Sequence, residues 1–273
     1  MCRFSLVILM SLCACVALAS EKAGKESNGE LADMLPDAPA GAVWKLVWHD
    51  EFDGTKLDEA KWNIPEHKCR DAWWTRKAVG LDGNGHLVIR VFKEGDRYYD
   101  AGIHTRGKFE QAFGYFVVRM LLQKRPGHWS AFWLWNTGMK QFRERFEIDI
   151  MERPWLDDRI QHTFHWVGPG GTPKSLGEVA RVPGVAEGWH TFGLLWTPDE
   201  YVFYVDGRQT WRPRGAPIWR EPLYILITDE IQFNGWAGDI RKASLPDEFL
   251  VDYVRVYSPA HGKTGQTSWP GGK

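Results

Sequence analysis

Tyr201-Val202-Phe203-Tyr204-Val205 runs directly into Asp206-Gly207, and this pattern recurs with variations along the chain. Runs of β-branched and aromatic residues favour an extended backbone, and Asp-Gly suits a tight two-residue hairpin. Leu87-Val88-Ile89-Arg90-Val91 follows the turn sequence Asp82-Gly83-Asn84-Gly85, and Gly114 to Met120 and Phe249 to Tyr257 are further runs. No long segment repeats its apolar residues at the helical period, which disfavours a helical enzyme. Many short strands joined by Gly, Pro, Asn and Asp predict an all-β sandwich of two antiparallel sheets. A chain of 273 residues fits one such domain, and no internal repeat or long break divides it.

The ends read differently. Met1-Cys2-Arg3, the apolar run Phe4 to Met10 and the small-residue exit Ala17-Leu18-Ala19 make residues 1–19 a secretory signal peptide, too short for a permanent membrane span. Leu12-Cys13-Ala14-Cys15 also resembles a lipobox, which would leave Cys15 lipidated. Cleavage after Ala19 and lipidation at Cys15 are both open. Either one exports the protein, to the extracellular space, the periplasm or a lipid anchor at the cell surface. Residues 20–40 read as a polar linker, 41–258 as the folded domain and 259–273 as a polar tail.

Three of the four cysteines lie in the signal region, so the domain keeps Cys69 and has neither a disulfide framework nor metal-type spacing. A net charge of −1 gives no electrostatic reason to bind nucleic acid or an anionic membrane. Membrane attachment would come only through the N-terminal lipid. A monomer without an organic cofactor is expected.

The chemistry concentrates in Phe146-Glu147-Ile148-Asp149-Ile150-Met151-Glu152-Arg153-Pro154. Alternation sends Phe146, Ile148 and Ile150 to the core and Glu147 and Asp149 outward. Unbroken alternation would bury Glu152 among the isoleucines, where an unpaired carboxylate is very costly. One extra residue at Ile150-Met151, a β-bulge, returns Glu152 to the acidic face. Like charges this close raise at least one pKa. Retaining glycoside hydrolysis needs an ionised and a protonated carboxyl roughly 5–5.5 Å apart. Backbones about 13 Å apart along a strand require Glu147 and Glu152 to lean together over Asp149, which would relay charge between them. A solvated acidic face or a calcium patch is the alternative reading of these three acids.

In Trp129-Ser130-Ala131-Phe132-Trp133-Leu134-Trp135, alternation puts Trp129, Trp133 and Trp135 on one face and Phe132 and Leu134 on the other. Flat indoles on an open face can stack on sugar rings; sheet-edge packing is the plainer account. His162-Thr163-Phe164-His165-Trp166 brings His165 to strand spacing beside the acids, where it could bond a carboxylate or a sugar hydroxyl.

With these residues in hand the chain resembles glycoside hydrolase family 16, the laminarinase, lichenase, agarase and carrageenase group. The acidic strand is similar to that family's bulged Glu-x-Asp-x-x-Glu signature. Trp48 to Gly54, Gly102 to Phe109, Ser130 to Leu134, Gly188 to Phe192, Trp196 to Asp199 and Val251 to Tyr257 resemble further blocks, in order. The resemblance implies a jelly-roll sandwich with an open concave groove, endo-acting cleavage of a β-linked polysaccharide and retention of configuration. It implies Glu147 as nucleophile, Asp149 as its assistant and Glu152 as acid/base. Trp129, Trp133 and Arg106 become groove residues and His165 a neighbour of the nucleophile. It also implies a structural calcium on the convex side, with Glu51 and Asp252 as ligands.

Two departures bear on this. Val117 stands where the family usually has an acid. Ile227 to Gln232 replaces the Gly-rich stretch common in β-glucanases, and an acid there, Glu230, is similar to the galactan-cutting members. The expected substrate is therefore a β-1,3- or mixed β-1,3/1,4-glucan. The alternatives are a β-galactan (agar, porphyran, carrageenan or a host O-glycan) cut by the same chemistry, with Arg76, Arg106 and Arg153 as basic groove residues if it is sulfated, or a non-catalytic carbohydrate-binding jelly roll.

Overall fold

The computed structural model describes residues 34–136, 145–261, 266–267 and 269. The strands, in chain order, begin with β1 (Ala42–Asp50), β2 (His67–Cys69), β3 (Ala72–Trp74), β4 (Val79–Leu81), β5 (Leu87–Glu94), β6 (Arg97–Asp100) and β7 (Gly102–His104). Next come β8 (Glu110–Gln111), β9 (Gly114–Leu121), β10 (His128–Asn136), β11 (Phe146–Arg153), β12 (Arg159–Val167) and β13 (Pro173–Arg181). The last are β14 (Trp189–Trp196), β15 (Tyr201–Val205), β16 (Arg208–Trp211), β17 (Leu223–Ile231), β18 (Asp247–His261) and β19 (Gln266–Thr267). No α-helix occurs among the described residues; helical turns are short 3-10 segments.

These strands form two sheets. One, of twelve strands, follows the order β16-β15-β14-β9-β18-β5-β6-β3-β2, with β1 and β19 on β18 and β4 on β5. The other, of seven, follows β13-β12-β11-β10-β17-β7, with β8 on β17. The architecture is the expected all-β jelly-roll sandwich. Between β15 and β16 the chain turns at Asp206 and Gly207, with φ of 50° and 70°. Two successive left-handed residues match the twist of a hairpin, and Asp-Gly tolerates them.

The core lies between the sheets because alternate residues of both face it. Phe116, Val118 and Met120 of β9 and Phe192, Leu194 and Trp196 of β14 join one cluster with Phe132 and Leu134 of β10, Phe146, Ile148 and Ile150 of β11 and Ile225 and Ile227 of β17. Each large apolar side chain so buried contributes about 1.5–3 kcal/mol, so the inward faces lock the register of both sheets.

The domain's edges differ from expectation. Strand β18 continues past Ser258 to His261, and β19 pairs with its end, so the presumed tail begins as sheet. Linker residues pack too: the Trp44 indole donates to the Pro36 carbonyl at 2.6 Å. The signal peptide, Cys15 and most of the linker lie outside the described residues. The Cys69 thiol is half-buried, and burial, then the Glu230 charge, pushes its pKa up to about 12.

Candidate active site

Register shows how the acidic strand is built. On β12, Thr163 faces Asp149 and Gln161 faces Glu152, so two steps oppose three. On β10, Trp133 faces Asp149 while the adjacent Phe132 faces Met151. The extra residue is Ile150, which has no partner in either ladder. This bulge restores Glu152 to the face of Glu147 and Asp149 and turns Arg153 inward, where it is 1 % exposed.

Glu147 and Asp149 share the open face with His165, yet neither stands in solvent as alternation alone suggested. They are 9 % and 4 % exposed, because Trp135, Trp133 and β12 flank them. Arg145, just before β11, places Nη2 2.7 Å from Glu147 Oε2. His165 Nε2 lies 3.4 Å from Asp149 Oδ2. Burial lowers the His165 pKa, so the ring stays neutral at neutral pH. Burial, then the Glu152 and Glu147 charges, holds the Asp149 pKa well above the usual carboxylate range.

Glu152 has a different setting. Burial, then the charges of Glu230 and Glu147, pushes its pKa up to about 8, while the Trp129 indole N–H that it accepts and the Arg70 guanidinium act the other way. Glu230 lies opposite Trp129 on β17 and is ion-paired with Arg70, whose guanidinium also sits 5.1 Å from the Trp129 ring. A cleft of about 300 Å³ opens here, lined by Arg70, Glu152, Thr163, His165 and Trp236. Below it His128, fully buried, sits between Asp229 and Asp247, at 2.9 and 3.0 Å.

The aromatic residues divide. Trp133 and Trp135 are half-exposed with ring centroids 5.7 Å apart, and the Trp133 indole donates to Thr228 Oγ1 at 3.1 Å. Trp129 is only 2 % exposed: Arg70 and Trp236, its ring 5.9 Å away, cover most of it, and what remains lines the cleft beside Glu152. Trp236, 40 % exposed, presents the open indole there. Arg106 is exposed at the β7–β17 margin, where its charge acts on Tyr224 and His104. Arg76 pairs with Glu59 at 2.7 Å, and the buried Arg153 cannot be a groove residue. Arg70 and Trp236 lie outside the strand patterns and carried no sequence signal. Only the place of Arg145, two residues before Glu147, hinted at a shared face.

The two carboxylates implied as calcium ligands have arginine partners. Arg255 grips Glu51 through both oxygens, at 2.8 and 2.7 Å, and Arg119 holds Asp252 at 2.8 Å. Both Glu51 oxygens and Asp252 Oδ2 are taken by guanidinium groups and only Asp252 Oδ1 lacks a hydrogen bond, so this pair by itself falls short of the several oxygens a hard cation takes. Among the described residues, Glu147, Asp149 and His165 bring ligand atoms within 4.8 Å of one another, but Arg145 already supplies the positive charge at Glu147.

Comparison with known proteins adds context. A profile for glycosyl hydrolases family 16 matches residues 67–255. The β-glucanase of Rhodothermus marinus is 28% identical, over 94% of this chain and 95% of its own length. The keratan-sulfate endo-1,4-beta-galactosidase of Sphingobacterium multivorum is 27% identical over 84% of this chain, which spans 61% of that protein. The catalytic domain of an endo-1,3-beta-glucanase (laminarinase) from Thermotoga petrophila is 26% identical with a TM-score of 0.70, covering 79% of this chain and 98% of that one.

Proposed function

The chain belongs to glycosyl hydrolases family 16, and from that premise we propose a retaining endo-β-glycan hydrolase in which Glu147 is the nucleophile, Glu152 the acid/base and Asp149 the relay between them. One observation carries the reading: two glutamates on one face in opposed environments. Arg145 pairs with the Glu147 carboxylate, while Glu152 titrates near 8 and so keeps its proton at neutral pH. A carboxyl that keeps its proton beside an arginine-paired one is what acid and nucleophile roles require.

Glu147 attacks the anomeric carbon while Glu152 gives its proton to the departing glycosidic oxygen. A covalent glycosyl ester forms on Glu147. Glu152, now ionised, takes a proton from water, and that water opens the ester from the face the leaving group left. Asp149, whose pKa is raised by burial and then by the Glu152 and Glu147 charges, donates a hydrogen bond to the nucleophile whenever it holds a proton, and so eases its departure from the ester. Trp133 and Trp135 bind sugar rings along the open face, His165 and Arg106 bond hydroxyls, and Glu230 acts through Glu152.

The substrate we favour is a β-1,3- or mixed-linkage glucan, in line with the Rhodothermus and Thermotoga relatives. A β-galactan is the second reading, motivated by the Arg70–Glu230 pair beside the acid/base and by the keratan-sulfate-cleaving relative. A polymer outside the cell requires an exported enzyme, which fits the signal-like residues 1–19 and a monomer working on a long chain.

The test is a panel of laminarin, lichenan, agarose, porphyran, carrageenan and mucin glycans scored for released oligosaccharides, with product anomers followed by NMR. Wild type should release internal fragments of one polymer with the β configuration retained, and Glu147→Gln and Glu152→Gln should lose several orders of magnitude in kcat. Inverted anomers, or a Glu147 variant at wild-type rate, would refute the assignment.

A further inference from the structure

The bulge that turns Glu152 toward Glu147 has a partner on its buried side. Ile150 is fully buried and has no register partner on β10 or β12, so the ladder leaves its carbonyl without a regular donor. His162, the β12 residue between Gln161 and Thr163, supplies one: its Nδ1 lies 2.7 Å from the Ile150 oxygen. A carbonyl oxygen only accepts, so Nδ1 carries the hydrogen. Nε2 then holds a lone pair and accepts the hydroxyl hydrogen of Thr210, 3.0 Å away.

Thr210 belongs to β16, in the other sheet. The imidazole between them is 0 % exposed, with its ring 4.8 Å from that of Phe203 and near-parallel to Trp211 at 6.4 Å. Burial pushes its pKa down to about 4, so the ring keeps a single proton across the working range. A histidine on the core face of a strand is an unusual choice where Ile160 and Phe164 are its alternating neighbours. Its two bonds account for it.

We infer that His162 is a positioning residue for the hydrolysis: with Thr210 steadying the ring through Nε2, it holds the Ile150 carbonyl from the core side and so keeps Glu152 on the face of Glu147. Should the extra residue slip out of β11, alternation would send Glu152 inward and Arg153 outward. The inference rests on the catalytic roles proposed for Glu147 and Glu152.

The experiment compares His162→Leu, Thr210→Val and Thr210→Ser on the polysaccharide that wild type cleaves. His162→Leu should lower kcat about 10²-fold, as misplacement of a catalytic group does, with KM changed by less than about twofold. The alkaline limb of its kcat profile should move. Glu152 would no longer keep its distances from Glu230, Glu147 and Asp149, from the Arg70 guanidinium and from the Trp129 indole N–H. Thr210→Val, which removes only the hydroxyl that holds Nε2, should show the same pattern at roughly tenfold, and Thr210→Ser should restore wild-type values. If His162→Leu fails to fold, the two Thr210 variants decide. A lowered Tm with wild-type kcat and an unmoved limb overturns the inference. Glu147→Gln and Glu152→Gln run alongside: activity in either means the catalytic assignment has failed, whereas inactivity in both with wild-type kcat in the His162 and Thr210 variants means that only the pin has failed.

Discussion

Glu230 stands two strands from Glu152 across the sheet, yet after burial itself its carboxylate does more than any other charge to raise the Glu152 pKa. Glu152 is therefore tuned by a residue on β17 as well as by its neighbour along β11. Arg70, ion-paired with Glu230, limits the effect.

That arrangement predicts a pH profile. In the acid/base role proposed for it, Glu152 has to be protonated when the leaving group departs, so kcat should fall as pH rises through about 8. Glu230→Gln removes a negative charge and should move this alkaline limb down by about one pH unit. Arg70→Met removes the opposing charge and should move it up. A limb that stays put in both variants would show that Glu230 does not act on Glu152. Initial rates from pH 5 to 10 suffice.

Stability should respond to the same group. The folded-state pKa of Glu152 is raised from 4.5 to about 8, so its favourable contribution is complete below the unfolded value and is lost as pH rises through the folded one. Glu152→Gln cannot ionise. Its Tm should exceed that of wild type at pH 9, and the gap should close at pH 4. Calorimetry at both pH values checks this.

Beneath the cleft, burial alone would lower the His128 pKa, but Asp229 and Asp247 outweigh it and push the value up to about 9. The resulting imidazolium compensates the buried Asp229. His128→Leu strips it of that partner and should cost about 3–5 kcal/mol at pH 7, read by urea denaturation. This contribution is complete below the unfolded histidine's 6.5 and fades as pH passes about 9, so the deficit should shrink in alkali.

Substrate binding should be divided unevenly among the tryptophans. Truncating the half-exposed Trp133 or Trp135 to Ala should weaken binding by about 2 kcal/mol, roughly thirtyfold in KM. Trp129→Phe keeps the ring but loses the N–H donor to Glu152. It should act on kcat and the alkaline limb with little change in KM. Steady-state kinetics on oligosaccharides of defined length separates the two patterns.

What could be read from the sequence was whatever strand periodicity controls, because alternation is a local, two-residue property. It ordered Phe132 and Leu134 against Trp133 and Trp135, and it located the bulge, since only an extra residue spares Glu152 a place among Ile148 and Ile150. Asp206-Gly207 marked its hairpin for the same local reason. Depth and partnership required the tertiary structure. The same alternation that turned Trp129 and Asp149 outward said nothing of Arg70 and Trp236 covering one or of β12 walling the other. Arg255 takes Glu51 from a strand 204 residues away, and Arg70 meets Glu230 across 160. Electrostatic partners and burial depend on distance in space, which the closure of two sheets decides, whereas facing depends on the pleat, which each strand carries in its own sequence.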